Sequence, residues 1–156
     1  MARSVGQNGP MSDKVTEHTT IEASPDQVMA VLLDFPRYPD WAKDLKAVEV
    51  LETDELGRGT SVRYRAAGFG RSVSYVLAYD LSDPSRVAWE LTQGDIMRKL
   101  DGYYELAGED GTTAVTYQLE ADLIVPIPGF VKNRTQGRIM HTALHDLKRR
   151  VESLDS

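Results

Sequence analysis

Residues 20–41, TIEASPDQVMAVLLDFPRYPDW, constrain the fold more than any other part of this chain, because in 22 residues they end a strand, cap a helix and add two aromatic-proline steps. Ser24 can accept from the free amides of a first helical turn, Pro25 suits the opening position where no donor is needed, and Gln27 completes a capping box. Val28, Val31, Leu32 and Phe35 then recur at i, i+3, i+4 and i+7, which predicts a short amphipathic helix that ends at Pro36. Pro36 and Pro39 bracket Arg37 and Tyr38, and a second helical turn is expected over 40–43. Upstream, Val15, Thr19, Ile21 and Ala23 alternate with His18, Thr20 and Glu22, the pattern of a strand with one wet face.

Downstream the pattern is strand after strand: 46–53, 60–67, 71–81, 86–92, 96–107 and 112–123. The breaks between them carry turn chemistry at Leu56-Gly57-Arg58-Gly59, Gly68-Phe69-Gly70, Asp83-Pro84, Gly94-Asp95 and Asp110-Gly111. Such a succession implies an antiparallel meander. In the last strand Val115, Tyr117, Leu119 and Ala121 alternate with Thr116, Gln118, Glu120 and Asp122, so one face of the sheet is dry and the other wet. After Val125-Pro126-Ile127-Pro128-Gly129 a long helix is expected from about Phe130 to Leu154. Met140, Leu144, Leu147, Val151 and Leu154 share one of its faces, but continued backwards that face meets Gly137, Gln136 and Asn133. A sheet curled around such a helix is filled at one end and under-filled at the other.

The 156 residues fit one domain, expected over 13–156, after a disordered tail of residues 1–12. No apolar run approaches the ~18 residues of a membrane span, which excludes an integral membrane segment. With a net charge of −6 the averaged field repels phosphate backbones, so nucleic acid is not an expected partner. The absence of cysteine removes disulfides, thiol catalysis and thiolate metal sites. The N-terminal residues carry no apolar h-region, and a cytoplasmic location is the expectation.

Alternation places Tyr64, Tyr75, Tyr79, Trp89, Leu100, Tyr104 and Tyr117 on the concave side, a set with apolar bodies and polar tips. These side chains either fill the core with hydroxyls reaching its rim or line a pocket for a hydrophobic molecule. Empty apolar volume costs roughly 24 cal/mol per Å³, which argues for an occupant at the under-filled end. Arg98 alternates inward with Leu100, Gly102 and Tyr104; it either grips a ligand carboxylate or enolate oxygen or snorkels out to an acid such as Glu17. Asn133 and Gln136 either bond a ligand or each other, and Met140 is counted with the candidate ligand contacts.

His141 and His145 have the four-residue spacing of a helical metal pair, but they flank the apolar stripe and His18 alternates onto the opposite face of a distant strand. A solvated helix side is the preferred reading, and no metal or cofactor is expected. The two glycine loops lack the helix and lysine of a phosphate site. Ser72 and Ser74 fall on the outer face with no histidine expected nearby, and no catalytic residue is assigned.

Strand, two small helices, six-strand meander and long closing helix is the order of the helix-grip fold. On residues 20–41, the Leu100-x-Gly102-x-Tyr104-x-Leu106 strand, the Gly111-Thr112-Thr113 turn and Val125 to Pro128, the chain resembles the START-like (SRPBCC) superfamily, in particular bacterial polyketide cyclase/dehydrase-like and coenzyme Q10-binding-like proteins. The resemblance implies an α+β domain with a curved antiparallel sheet of about seven strands around the C-terminal helix. It implies a cavity between sheet and helix, with Trp41, Phe69 and Phe130 at its mouth. The expected role is to bind a polyketide, isoprenoid quinone or lipid as carrier or chaperone. The alternative is a cyclase or dehydratase acting in the same cavity, and a third class is an adaptor whose helix or sheet edge meets a partner protein.

Overall fold

Ser24 takes extended backbone, its hydroxyl accepts from the Gln27 N–H at 3.3 Å, and the Gln27 side chain accepts from the Ser24 N–H at 2.8 Å. In the computed structural model, which describes residues 13–68, 71–124 and 129–154, this capping box opens helix α1, Pro25–Leu33. Val28, Val31 and Leu32 form its buried stripe. Ser24→Ala removes the hydroxyl that accepts from the Gln27 N–H while keeping the backbone N–H that donates to the Gln27 side chain, and is expected to lower stability by about 1 kcal/mol, measurable by urea denaturation.

The second helical turn begins earlier than the expected 40–43. A 3₁₀ turn at Phe35–Arg37 runs into α2, Tyr38–Trp41, each with proline in an opening position that needs no donor. Two contacts fix this phase: Phe35 is 1% exposed, and the Tyr38 hydroxyl donates to the Leu32 carbonyl at the end of α1.

The strands are β1 (Asp13–Ile21), β2 (Leu45–Thr53), β3 (Gly59–Gly68), β4 (Arg71–Asp80), β5 (Arg86–Gly94), β6 (Met97–Glu109) and β7 (Thr112–Leu123), and α3 spans Gly129–Leu154. They form one antiparallel sheet in the order β1-β7-β6-β5-β4-β3-β2. The meander thus returns its last strand beside its first, with Asp13 opposite Ala121 and Ile21 opposite Thr113. Asp110 and Gly111 both take positive φ, 50° and 83°, which closes the β6–β7 hairpin in the twist that its strands require. At the other end of β7 the pattern of Val115, Tyr117, Leu119 and Ala121 buried against the wetter Thr116, Gln118 and Glu120 holds throughout.

Helix α3 packs chiefly on β1, with smaller contacts to α1, β7 and α2. Met140, Leu144, Leu147 and Val151 are buried beneath it, whereas Leu154, read as part of the same stripe, is 59% exposed at the helix's last position. Thr113 anchors the junction of β1 and α1 by donating to the Ala23 carbonyl at 2.7 Å, and Glu152 accepts from the Glu22 N–H at 2.9 Å. With α3 seated at the β1–β7 side, the inward side chains of β3 to β6 face it across a gap. The expected tail of residues 1–12 lies outside the described residues.

Candidate functional site

That gap is a cavity of about 250 Å³. Its sheet wall is built from aromatic pairs that the register sets directly across from each other: Tyr64 opposite Tyr75, Tyr79 opposite Trp89, and Tyr104 opposite Tyr117. The rings then touch in a chain. Tyr64 stacks on Tyr75 at 5.3 Å between centroids, Tyr79 meets Trp89 at 6.0 Å, Trp89 meets Tyr104 at 5.4 Å, and Tyr104 stacks on Tyr117 at 4.4 Å. Room for the Trp89 indole comes from Gly102, its cross-strand partner, where a Cβ would lie 2.9 Å from the ring.

Two apolar clusters meet at this hollow. Leu77, Val87 and Leu119 come from the main core, and Ala66, Val73, Ile96 and Met97 from a smaller one. Helix α3 supplies the opposite wall with Gln136, Ile139, Ala143 and Asp146, a stripe at i, i+3, i+7 and i+10. Tyr38 and Trp41 of α2, 5.0 Å apart edge to face, close one side. The exposed lining residues Lys43, Asp44, Ala67 and Ile139 mark the mouth.

Polarity inside comes from phenols. Tyr64 and Tyr79 share a hydroxyl–hydroxyl hydrogen bond of 2.5 Å. Burial raises the pKa of Tyr38, Tyr64, Tyr75, Tyr79 and Tyr104 well above that of a free phenol. It pushes Tyr117 up to about 12, with a hydrogen bond from Tyr104 pulling the other way. All six therefore stay neutral hydrogen-bond donors at physiological pH. The one buried carboxylate among the described residues is Asp146, 4% exposed, which accepts from the Lys43 N–H at 3.3 Å and lies 3.7 Å from the Lys43 ammonium. This contact ties α3 to the link between α2 and β2 at the mouth.

Of the residues singled out in the sequence, Trp41, Tyr64, Tyr75, Tyr79, Trp89, Tyr104, Tyr117 and Gln136 stand on the cavity wall. Gln136 also has a structural duty: its side-chain amide donates to the Leu119 carbonyl at 3.0 Å, fastening α3 to β7. Arg98 does not face the cavity. A register irregularity between Met97 and Lys99 inserts an extra residue, so Met97 and Leu100 both point inward while Arg98 turns out, 56% exposed and 3.7 Å from Asp122 rather than Glu17. Met140 is a core residue, 0% exposed and off the cavity wall. Phe69 and the side chains of Phe130 and Asn133 lie outside what the structure describes.

His141 and His145 are exposed on α3, and no group of metal-ligating side chains occurs among the described residues. Nor is any described helix long and apolar enough to cross a membrane. Sequence reasoning missed Tyr38, Ile96, Met97, Ala143 and Asp146. The 136–139–143–146 spacing on α3 was the available signal for the last two, masked by the stronger apolar stripe beside it.

A curved seven-stranded antiparallel sheet gripping a long C-terminal helix, with two short helices after the first strand, defines the START-like class. The chain belongs to the polyketide cyclase/dehydrase and lipid transport family, which it matches over residues 12–152. Its fold is similar to that of a START superfamily protein from Mycobacterium smegmatis, with 22% identity, a TM-score of 0.86, and coverage of 90% of this chain and 98% of the other. The Zhui aromatase/cyclase from Streptomyces sp. R1128 aligns at 19% identity and a TM-score of 0.78 over 90% of this chain and 94% of its own. A STAR-related lipid transfer protein fragment from Xanthomonas axonopodis aligns at 18% identity and a TM-score of 0.68, covering 89% and 85%. Among curated proteins, none matches the sequence.

Proposed function

We propose that this protein binds a compact hydrophobic molecule in the cavity and shields it from water, as a carrier or chaperone for a polyketide, a quinone or a small lipid. The observation that carries this reading is the 250 Å³ hollow, walled by paired aromatic side chains where a core would normally be closed. Its size lies just below the roughly 300–1,000 Å³ of drug-sized pockets, which favours a molecule of two or three rings over a long-chain lipid. Burying ~300 Å² of such a ligand at about 25 cal/mol per Å² gives roughly 7.5 kcal/mol before ordering costs, which sets low-micromolar affinity as the upper bound from burial alone. The likeness to a lipid transfer protein and an aromatase/cyclase supports a cavity with this general use.

The chain's two tryptophans, Trp41 and Trp89, both line the cavity, so ligand binding is expected to change the whole tryptophan emission. Titration with neutral two- and three-ring hydrophobes should quench it saturably in the micromolar range. Native mass spectrometry of gently purified protein should show a non-covalent adduct. Unchanged emission across such a panel would remove the reading.

A cyclase or dehydratase using the same cavity is the second reading, favoured by the Asp146 carboxylate on a wall that also carries neutral phenol donors able to polarise a carbonyl. Loss of water from a β-hydroxy ketone probe, followed as enone absorbance, tests it. A rate no greater than that of buffer retires it.

A further inference from the structure

We infer that the cavity discriminates by charge, accepting uncharged or cationic hydrophobes and rejecting carboxylates, an inference that rests on the ligand-binding reading above. The wall and mouth carry Asp44 and Asp146, and among the described residues the cation that lines them is Lys43. Its ammonium, on a side chain 63% exposed, lies 3.7 Å from Asp146, so one carboxylate remains in excess. Asp44 is exposed at the mouth, and while burial is the main cause that raises the Tyr75 pKa, the Asp44 charge adds to it in the same direction.

The strands that build the wall direct their described cations outward. Arg63 pairs with Glu49 at 3.0 Å, Arg65 is exposed, and the β6 bulge turns Arg98 to the convex face. Inside, the Tyr64–Tyr79 and Tyr104–Tyr117 pairs each spend one O–H on the partner hydroxyl and keep one to donate, and Tyr75 brings a third. Neutral donors of this kind match carbonyl and hydroxyl oxygens. A carboxylate, its hydration stripped, meets neutral donors, the excess negative charge at the mouth and no uncommitted described cation. An ammonium at the mouth would instead gain the carboxylate in excess there, beside the aromatic side chains of Tyr38 and Trp41 that also line it.

Three probes sharing one naphthalene body separate the possibilities: 2-naphthalenemethanol, 2-naphthylmethylamine and 2-naphthoate, titrated at neutral pH into the full chain and followed by tryptophan emission. The alcohol is expected to bind, the amine to match it within about threefold or exceed it, and the carboxylate to bind at least about tenfold more weakly. Asp44→Asn and Asp146→Asn should each narrow the alcohol-to-carboxylate ratio severalfold. Carboxylate binding as tight as the alcohol's overturns the charge inference while leaving the binding reading intact, as does a ratio unmoved by both substitutions. Binding by none of the three overturns both.

Discussion

Ala143→Phe is expected to abolish ligand binding while leaving the protein folded and as stable as before, or more so. Ala143 lies on the α3 wall between Ile139 and Asp146, facing the aromatic pairs of the sheet across the hollow. A phenyl ring there occupies space rather than displacing packed atoms. If it fills ~100 Å³ of vacancy, the recovered contacts are worth up to about 2 kcal/mol, reduced by whatever rotamer strain it meets. Most large substitutions inside a core do the reverse and cost stability. The pairing of two measurements therefore makes the test specific: tryptophan quenching by 2-naphthalenemethanol should disappear, and the thermal midpoint should hold or rise. A large fall in the midpoint would show that the region is already filled. Retained binding would show that the ligand sits elsewhere.

The sheet was legible because period-2 alternation and turn residues are local signals. Asp110-Gly111 and the run from Val115 to Asp122 fix both a hairpin and the two faces of its strand with no knowledge of the rest of the chain. Once the faces are known, the concave placement of Tyr64, Tyr75, Tyr79, Trp89, Tyr104 and Tyr117 follows. Arg98 was misplaced by the same logic, because alternation has meaning only within an unbroken ladder and the bulge at Met97–Lys99 leaves no mark in residue type. Met140 was misread, and Asp146 passed over, for a different reason. On α3 the core-facing and cavity-facing stripes are neighbours, and only the partner across each one, sheet side chains or open space, tells them apart. A carboxylate at position 146 reads as solvated by default, and its burial depends on Lys43, more than 100 residues away.

Gly102→Ala should destabilise the domain by about 3 kcal/mol, although it adds a single methyl group at a strand position that tolerates any residue by backbone conformation. The reason is steric and comes from two sides. A Cβ at residue 102 would lie 2.3 Å from the Gln118 carbonyl oxygen on β7 and 2.9 Å from the Trp89 indole on β5. A side chain tip can swing away, but the carbonyl belongs to the ladder in which Gly102 faces Leu119 and Tyr104 faces Tyr117. Relief requires β6 and β7 to separate or the indole to leave its seat, and the indole is held by Tyr79, Tyr104 and Tyr117 at 5.4 to 6.0 Å. At roughly 3 °C per kcal/mol for a domain of this length, the midpoint should fall by about 10 °C. A generic loss of stability would leave the native emission spectrum alone, whereas here the Trp89 environment should change in the folded state at low temperature and ligand quenching should weaken with it. A variant that unfolds at the wild-type temperature with an unaltered spectrum would mean that Trp89 is not seated on Gly102, and the aromatic wall of the cavity would need to be redrawn.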